Sequence, residues 1–198
     1  MRSLSFRCGV VLLASLLLAP ALRAANFYPP LPAAKSSVDF DKRGFLIHGQ
    51  RTFIASAGIE YARVPRALWR DRLLKIKRSG FNCVEIYTFW NFHEVSPGKF
   101  DFTGDKDVGA FLDLVHQLGL YATVRAGPYV CAEGENGGFP NWLRFEPGLR
   151  VRQDEPQYLK AVDAWYDHIL PIVAAHQIDR GGSVIMVQLE NEDDEGWG

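Results

Sequence analysis

The chain has 198 residues, of which 47% are hydrophobic and 23% charged, and its formal net charge at pH 7 is −1. This balance is typical of a globular protein of one domain. A net charge near zero without a Lys/Arg-rich run provides no electrostatic surface for nucleic acid. The composition therefore favours an uncharged substrate, and we expect no nucleic-acid partner.

The N-terminus has the pattern of a secretory signal peptide. Arg2 and Arg7 precede an apolar run over residues 9–18, which ends in the small-residue stretch 21–25. The apolar run is shorter than the roughly 20 residues that a spanning helix needs. We therefore predict a signal peptide over 1–24, a linker and N-terminal segment over 25–44, no membrane span after cleavage, and a secreted or periplasmic protein. A retained N-terminal anchor is the alternative.

Hydrophobic periodicity predicts alternating strands and helices from residue 44 onward. A hairpin over 44–53 turns near residues 48–50. The elements that follow are strands over 53–58, 82–89, 120–125 and 183–191, and helices over 65–80, 105–118 and 156–174. Pro171 is expected to kink or shorten the last helix. A long loop over 126–154 precedes that helix.

This alternation predicts right-handed βαβ units and a parallel sheet. Doubly wound sheets and barrels share the pattern, but no Gly-x-Gly-x-x-Gly follows the first strand and no phosphate-binding loop is present. Polar and aromatic residues instead cluster after the second, third and fourth strands, where a (β/α)8 barrel places its active site. The sequence therefore predicts an α/β fold, and the position of these clusters favours a (β/α)8 barrel over a doubly wound sheet.

The clusters at the strand ends combine aromatic rings, amides and carboxylates, which suits a sugar. Hydrolysis of an acetal needs one carboxyl to donate a proton and another to stabilise or attack the anomeric carbon. Glu192 is the first candidate for the acid/base because it follows Asn191 after an apolar strand. Strand alternation sends Glu190 and Glu192 to the same side without deciding between them. Glu94 and Glu133 are rivals, Glu133 being better placed for binding, and the acidic run over 190–195 is otherwise only a solvated end.

Neither a metal site nor a cofactor is expected. The five histidines are scattered and form no His-x-x-x-His pair. Export permits a disulfide, but the separation of Cys83 and Cys131 is not readable from the sequence, so their pairing stays open.

Several motifs together resemble glycoside hydrolase family 35, the β-galactosidases. The resemblance runs from about Phe45 to Glu192, and its specificity rests on the combination and order of the motifs. They are Ile59-Glu-Tyr-Ala-Arg-Val-Pro65, Leu68-Trp-Arg-Asp-Arg72, Glu85-Ile-Tyr-Thr-Phe-Trp-Asn-Phe-His-Glu94, Gly127-Pro-Tyr-Val-Cys-Ala-Glu133, Gly137-Gly-Phe-Pro140 and Gly181-Gly-Ser-Val-Ile-Met-Val-Gln-Leu-Glu-Asn-Glu192.

The resemblance implies the α/β fold of a (β/α)8 TIM-barrel glycosidase, with about the first four βα units over residues 45–198. It also implies a retaining double displacement on terminal β-galactosides, with an oligosaccharide or polysaccharide carrying terminal β-galactose as the partner. It implies that Glu192 is the acid/base and that Asn191 contacts the sugar 2-hydroxyl. The positions that it assigns to the galactose pocket are Tyr87, Cys131, Ala132 and Glu133.

The chain also departs from the family pattern. Glu60 stands where many members have His, Gly134 replaces a usual Trp, and Asp193-Asp194 replaces a common Tyr-Gly. The family places its nucleophilic glutamate beyond residue 198, so we expect the 198-residue chain alone to be inactive. The alternatives are a truncated, non-catalytic sugar-binding fragment and another barrel glycosidase acting on β-glucan or mannan. Cys131-Ala-Glu133 and Gly137-Gly-Phe-Pro140 disfavour the second.

Overall fold

The computed structural model describes residues 37–131 and 133–193, so the predicted signal peptide lies outside the described residues. A small antiparallel sheet opens the described chain, with strands β1 (Val38–Asp41), β2 (Gly44–Ile47) and β3 (Gln50–Thr52) in that order. The predicted hairpin is β2–β3, and it turns at His48 and Gly49, whose φ angles are 48° and 76°. Two consecutive positive φ values are typical of the tight turns that match strand twist. The sequence does not predict β1.

The second sheet is parallel and contains four strands in the order β4–β5–β6–β7. Its strands are β4 (Ser56–Gly58), β5 (Cys83–Tyr87), β6 (Tyr121–Gly127) and β7 (Val184–Leu189). The helices are α1 (Trp69–Arg78), the short α2 (Trp90–His93), α3 (Val108–Gln117) and α4 (Pro156–Ala175). Neighbouring strands in space are thus consecutive in the chain, as the predicted βαβ units require.

Side-chain caps set the start of the two longer crossover helices. The Asp107 carboxylate accepts the Ala110 N–H at 2.9 Å at the start of α3, and Glu155 accepts the Tyr158 N–H at 2.9 Å at the start of α4. Helix α4 continues through Pro171 to Ala175, so Pro171 does not shorten it. Proline in a helix removes the bond to the carbonyl four residues earlier, and that residue, Asp167, is exposed, so water can solvate its carbonyl.

The core lies between the parallel sheet and its helices. Alternate residues of β5 and β6 are buried against helix residues such as Leu73, Phe111 and Trp165. Burying one such large apolar side chain contributes roughly 2–3 kcal/mol. The other face of the sheet carries half-buried polar side chains, because successive residues of a strand point to opposite faces. These polar residues are Glu85, Tyr87, Thr123, Arg125 and Gln188.

Candidate active site

The predicted site residues that the structure describes lie at or just beyond the carboxyl edge of the parallel sheet. Strand pairing sets Tyr87 opposite Arg125 and Arg125 opposite Gln188, so the ends of β5, β6 and β7 are level. The loop after β6 carries Cys131 and Glu133, and the turn after β7 carries the predicted pair at 191 and 192. Ala132 lies outside the described residues.

Arg125 contacts several residues on the polar face of the sheet. Its Nη2 donates to Glu85 Oε1 at 2.9 Å, its Nε to Gln188 Oε1 at 3.2 Å, and its Nη1 to the Val130 carbonyl at 3.0 Å. The guanidinium also lies over the ring of Tyr87, with Cζ 4.5 Å from the ring centroid. One half-buried cation therefore joins β5, β6, β7 and the loop that follows β6.

The Tyr87 hydroxyl stays protonated at neutral pH. Burial raises the pKa of Tyr87 above its ordinary value of 10.0, and the Glu85 carboxylate raises it further. Arg125 opposes this shift, while Glu60 and Glu133 add to it. A phenol in this state both donates and accepts hydrogen bonds, as recognition of a sugar hydroxyl requires.

The loop after β6 turns sharply at the predicted sugar-binding residues. Cys131 and Glu133 have positive φ angles of 57° and 47°, and the Gly134 N–H donates to the Cys131 carbonyl at 2.9 Å. Arg63 Nη2 donates to the Glu133 carbonyl at 3.1 Å. The backbone at Glu133 is thus held, while the residue is exposed.

Gly134 packs directly against an aromatic ring. A Cβ atom at this position would lie 2.6 Å from Phe89 Cε1. This chain therefore has glycine at position 134, where many family members have Trp, and its backbone approaches Phe89 closely there. A larger side chain requires Phe89 to move.

The turn after β7 carries Asn191 and Glu192, the predicted sugar-binding residue and acid/base. Glu190 and Glu192 have positive φ angles of 61° and 51°, and the Glu190 N–H donates to the Gly127 carbonyl at 2.7 Å. Asn191 is buried, and its Oδ1 accepts from Gln188 Nε2 at 3.4 Å. Glu192 is exposed.

The structure distinguishes Glu190 from Glu192, which strand alternation alone did not. Strand β7 ends at Leu189, so strand alternation does not extend to residues 190 and 192. Glu190 Oε2 accepts from the Asn191 N–H at 2.7 Å and from Arg152 Nη2 at 3.0 Å. Burial raises the pKa of Glu190, against the lowering effect of both donors. Glu190 is therefore engaged within the turn, whereas Glu192 is open to solvent.

Glu94 is also engaged, and not at the strand ends. It is 3% exposed, and its two oxygens accept from Trp90 Nε1 at 2.5 Å and from the Gly98 N–H at 2.6 Å. With one oxygen bonded to α2 and the other to the loop that follows it, Glu94 stabilises this segment.

Sequence reasoning missed the two arginines that organise the site. Arg125 had a usable signal, because a charge within a largely buried strand requires a partner on the same face. Glu85 alternates onto that face in the neighbouring strand. Arg152 lies in an irregular loop and had no such signal, because no periodicity relates it to Glu190, 38 residues away.

Three further observations concern the described part of the chain. Residues 37–131 and 133–193 contain no group of His, Cys, Asp or Glu arranged to hold a metal ion. Within the same ranges no helix has the length and apolar character to cross a membrane. Cys83 and Cys131 are free thiols, which resolves the disulfide left open by the sequence.

A parallel sheet of βα units with aromatic, amide and carboxylate groups at its carboxyl edge defines the chain as part of a barrel-type glycoside hydrolase. The model of glycosyl hydrolases family 35 matches residues 44–195, and the chain belongs to that family. The expectation drawn from the motifs is thereby confirmed.

The curated relatives include β-galactosidases and a β-galactosidase-1-like protein. The chain is 43% identical to the β-galactosidase of Bos taurus over 93% of its length, and 46% identical to that of Homo sapiens over 78%. It is 45% identical to β-galactosidase-1-like protein 3 of Rattus norvegicus over 75% of its length. These alignments cover 28%, 23% and 24% of the relatives, so the chain spans about a quarter of their length.

Solved structures confirm the TIM-barrel fold. The exo-β-1,4-mannosidase Op5Man5 from Opitutaceae bacterium strain TAV5 superposes with a TM-score of 0.56 at 20% identity, over 80% of this chain and 27% of that one. A GH5_18 protein from Bifidobacterium longum subsp. infantis superposes with a TM-score of 0.53 at 14% identity, over 69% and 32%. At these identities the likeness concerns the fold alone.

Proposed function

We propose that the complete protein hydrolyses terminal β-D-galactosides with retention of configuration. The observation that carries this proposal is the turn after β7, where Asn191 is buried beside Gln188 and Glu192 is open at the site edge. The similarity to β-galactosidases supports galactose as the sugar.

In this proposal Glu192 donates a proton to the glycosidic oxygen and then, as carboxylate, activates water. Asn191 binds the sugar 2-hydroxyl, a contact that strengthens as charge develops on the ring. Tyr87, Cys131, Ala132 and Glu133 line the galactose pocket. We assign the nucleophile to a position beyond residue 198.

The test uses the purified complete gene product and nitrophenyl glycosides of galactose, glucose and mannose. We expect hydrolysis of the β-galactoside in preference to the other two. Glu192→Gln should lower kcat on lactose by about 10²–10⁴-fold, the usual contribution of a positioned general acid. Glu146→Gln, at an exposed residue of the loop before α4, is the matched control and should retain full activity. A preference for the glucoside or mannoside would contradict galactose specificity, and full activity of Glu192→Gln would contradict the assigned role.

We also propose that the mature protein acts outside the cytoplasm. The basic start, the apolar run over 9–18 and the small residues before position 25 support export.

A further inference from the structure

Arg152 lies in the segment just before α4 and contacts the turn that carries the proposed acid/base. Its side chain is 12% exposed. Nη2 donates to Glu190 Oε2 at 3.0 Å and to the Asn191 carbonyl at 2.7 Å, and it lies 3.7 Å from Asp193 Oδ1. One guanidinium nitrogen therefore contacts residues on both sides of Glu192.

The same guanidinium contacts the loop after β6. Its Cζ lies 4.2 Å from the ring centroid of Tyr129. A hydrogen bond with Cys131 is the largest cause of the raised pKa of Tyr129, and the Glu192 carboxylate also raises it. Arg152 thus links the loop that holds Cys131 to the turn that holds Glu192.

The turn needs such support. Glu190 and Glu192 both have φ angles in the left-handed region, which glutamate rarely adopts. A backbone of this kind persists only where its surroundings hold it. Apart from Arg152, the turn is held by the bond from the Glu190 N–H to the Gly127 carbonyl and by Gln188 Nε2, which donates to the Glu190 carbonyl at 2.9 Å and to Asn191 Oδ1 at 3.4 Å. Arg152 adds its bonds to the Asn191 carbonyl and to the Glu190 carboxylate, which in turn accepts from the Asn191 N–H.

We propose that Arg152 is a positioning residue that sets the orientation of Asn191 and Glu192. This inference rests on the proposed function. In this proposal Arg152 acts through the Asn191 carbonyl and the Glu190 carboxylate, and not by contact with the sugar or the reacting bond. Arginine suits the task because its planar guanidinium donates to the turn from Nη2 while its face lies over the Tyr129 ring, an arrangement that a lysine ammonium does not reproduce.

Displacement of Glu192 should affect substrates according to their leaving group. A displaced Glu192 donates its proton poorly, and only a substrate with a poor leaving group depends on that proton. Loss of Arg152 should therefore impair hydrolysis of methyl β-galactoside more than that of dinitrophenyl β-galactoside. A general loss of structure would impair both substrates alike.

The experiment compares Arg152→Met, Arg152→Lys and the matched control Arg150→Met in the complete gene product. Arg150 is exposed and lies in the same loop, two residues away. For each variant, kcat/KM is measured on both galactosides. Hydrogen exchange is measured at the backbone amide of Asn191 and at the backbone amides of α4.

For Arg152→Met we expect kcat/KM on the methyl glycoside to fall about tenfold further than on the dinitrophenyl glycoside, within the range of general-acid effects. Exchange at the Asn191 amide should rise about tenfold, the effect of one lost charged hydrogen bond, with α4 unchanged. Arg152→Lys should recover part of both effects, and Arg150→Met should match the wild type.

An equal fall on both substrates, or unchanged exchange at Asn191, would overturn the inference. A wild type without galactosidase activity refutes the proposed function instead, and exchange at Asn191 then decides the role of Arg152 alone.

Discussion

Arg125 and Glu85 form an ion pair across neighbouring strands, with Nη2 2.9 Å from Oε1 and side-chain exposures of 15% and 28%. The pair lies on the polar face of the sheet, where Arg125 is opposite Tyr87, the last residue of β5, and Glu85 precedes Tyr87 on the same face. Because Arg125 also contacts Tyr87 and Gln188, this pair couples the stability of the sheet to the geometry of the candidate site.

Removal of Arg125 should destabilise the fold. Arg125→Met leaves the half-buried Glu85 carboxylate without its cation, and we expect a loss of about 1–3 kcal/mol in the free energy of unfolding. Lys75→Met breaks an exposed pair with Asp71 and should cost about 0.5 kcal/mol or less. Urea unfolding of the two variants provides the comparison. Equal losses would show that the sheet pair is no stronger than a surface pair.

Replacement of Glu192 should reveal its role through azide rescue in the complete gene product. Glu192→Ala should keep glycosylation by an activated β-galactoside, because a good leaving group needs little protonation, while deglycosylation becomes slow. Azide needs no general base, so it should restore turnover and form β-galactosyl azide, which NMR identifies. An α-configured product would mean that Glu192 is the nucleophile.

His93 should make stability depend on pH. Its ring is fully buried, its Nδ1 donates to the Asp101 carbonyl at 2.9 Å, and its Nε2 therefore accepts from the Tyr61 hydroxyl. Burial lowers the pKa of His93 from 6.5 to about 4. Because the folded state resists protonation, the contribution of His93 is complete above pH 6.5 and is lost as the pH falls to about 4. The loss should approach about 3 kcal/mol.

Urea unfolding between pH 7 and pH 4 tests this dependence. His93→Gln should be less stable at pH 7 and should change less with pH than the wild type. His116→Gln, at an exposed residue of α3, is the control and should follow the wild-type curve. Parallel curves for His93→Gln and the wild type would contradict the role given to burial.

Export predicts a defined mature N-terminus. Cleavage after Ala24 should give a protein that begins near Ala25, because small residues precede that position. N-terminal sequencing of secreted material provides the measurement. An intact Met1 on cytoplasmic protein would rule export out.

The sequence by itself determined the order of the βα units and the position of the candidate site. Apolar periodicity is a local property, so β5, β6, β7 and α3 were predicted to within a few residues. The site motifs follow these strands directly, and parallel strands bring their carboxyl ends to one edge. Asn191 and Glu192 were therefore expected at that edge, and in the structure both follow the end of β7 directly.

Only the tertiary structure decided which carboxylates are engaged and what holds the site. Glu94 and Glu190 resemble Glu192 in the sequence, and only their contacts with Trp90, Gly98 and Arg152 distinguish them. Arg125 binds Gln188 across 63 residues of chain. The physical reason is that hydrogen bonds and ion pairs depend on distances of about 3 Å between atoms, and no local pattern encodes which distant residues the packed sheet brings together.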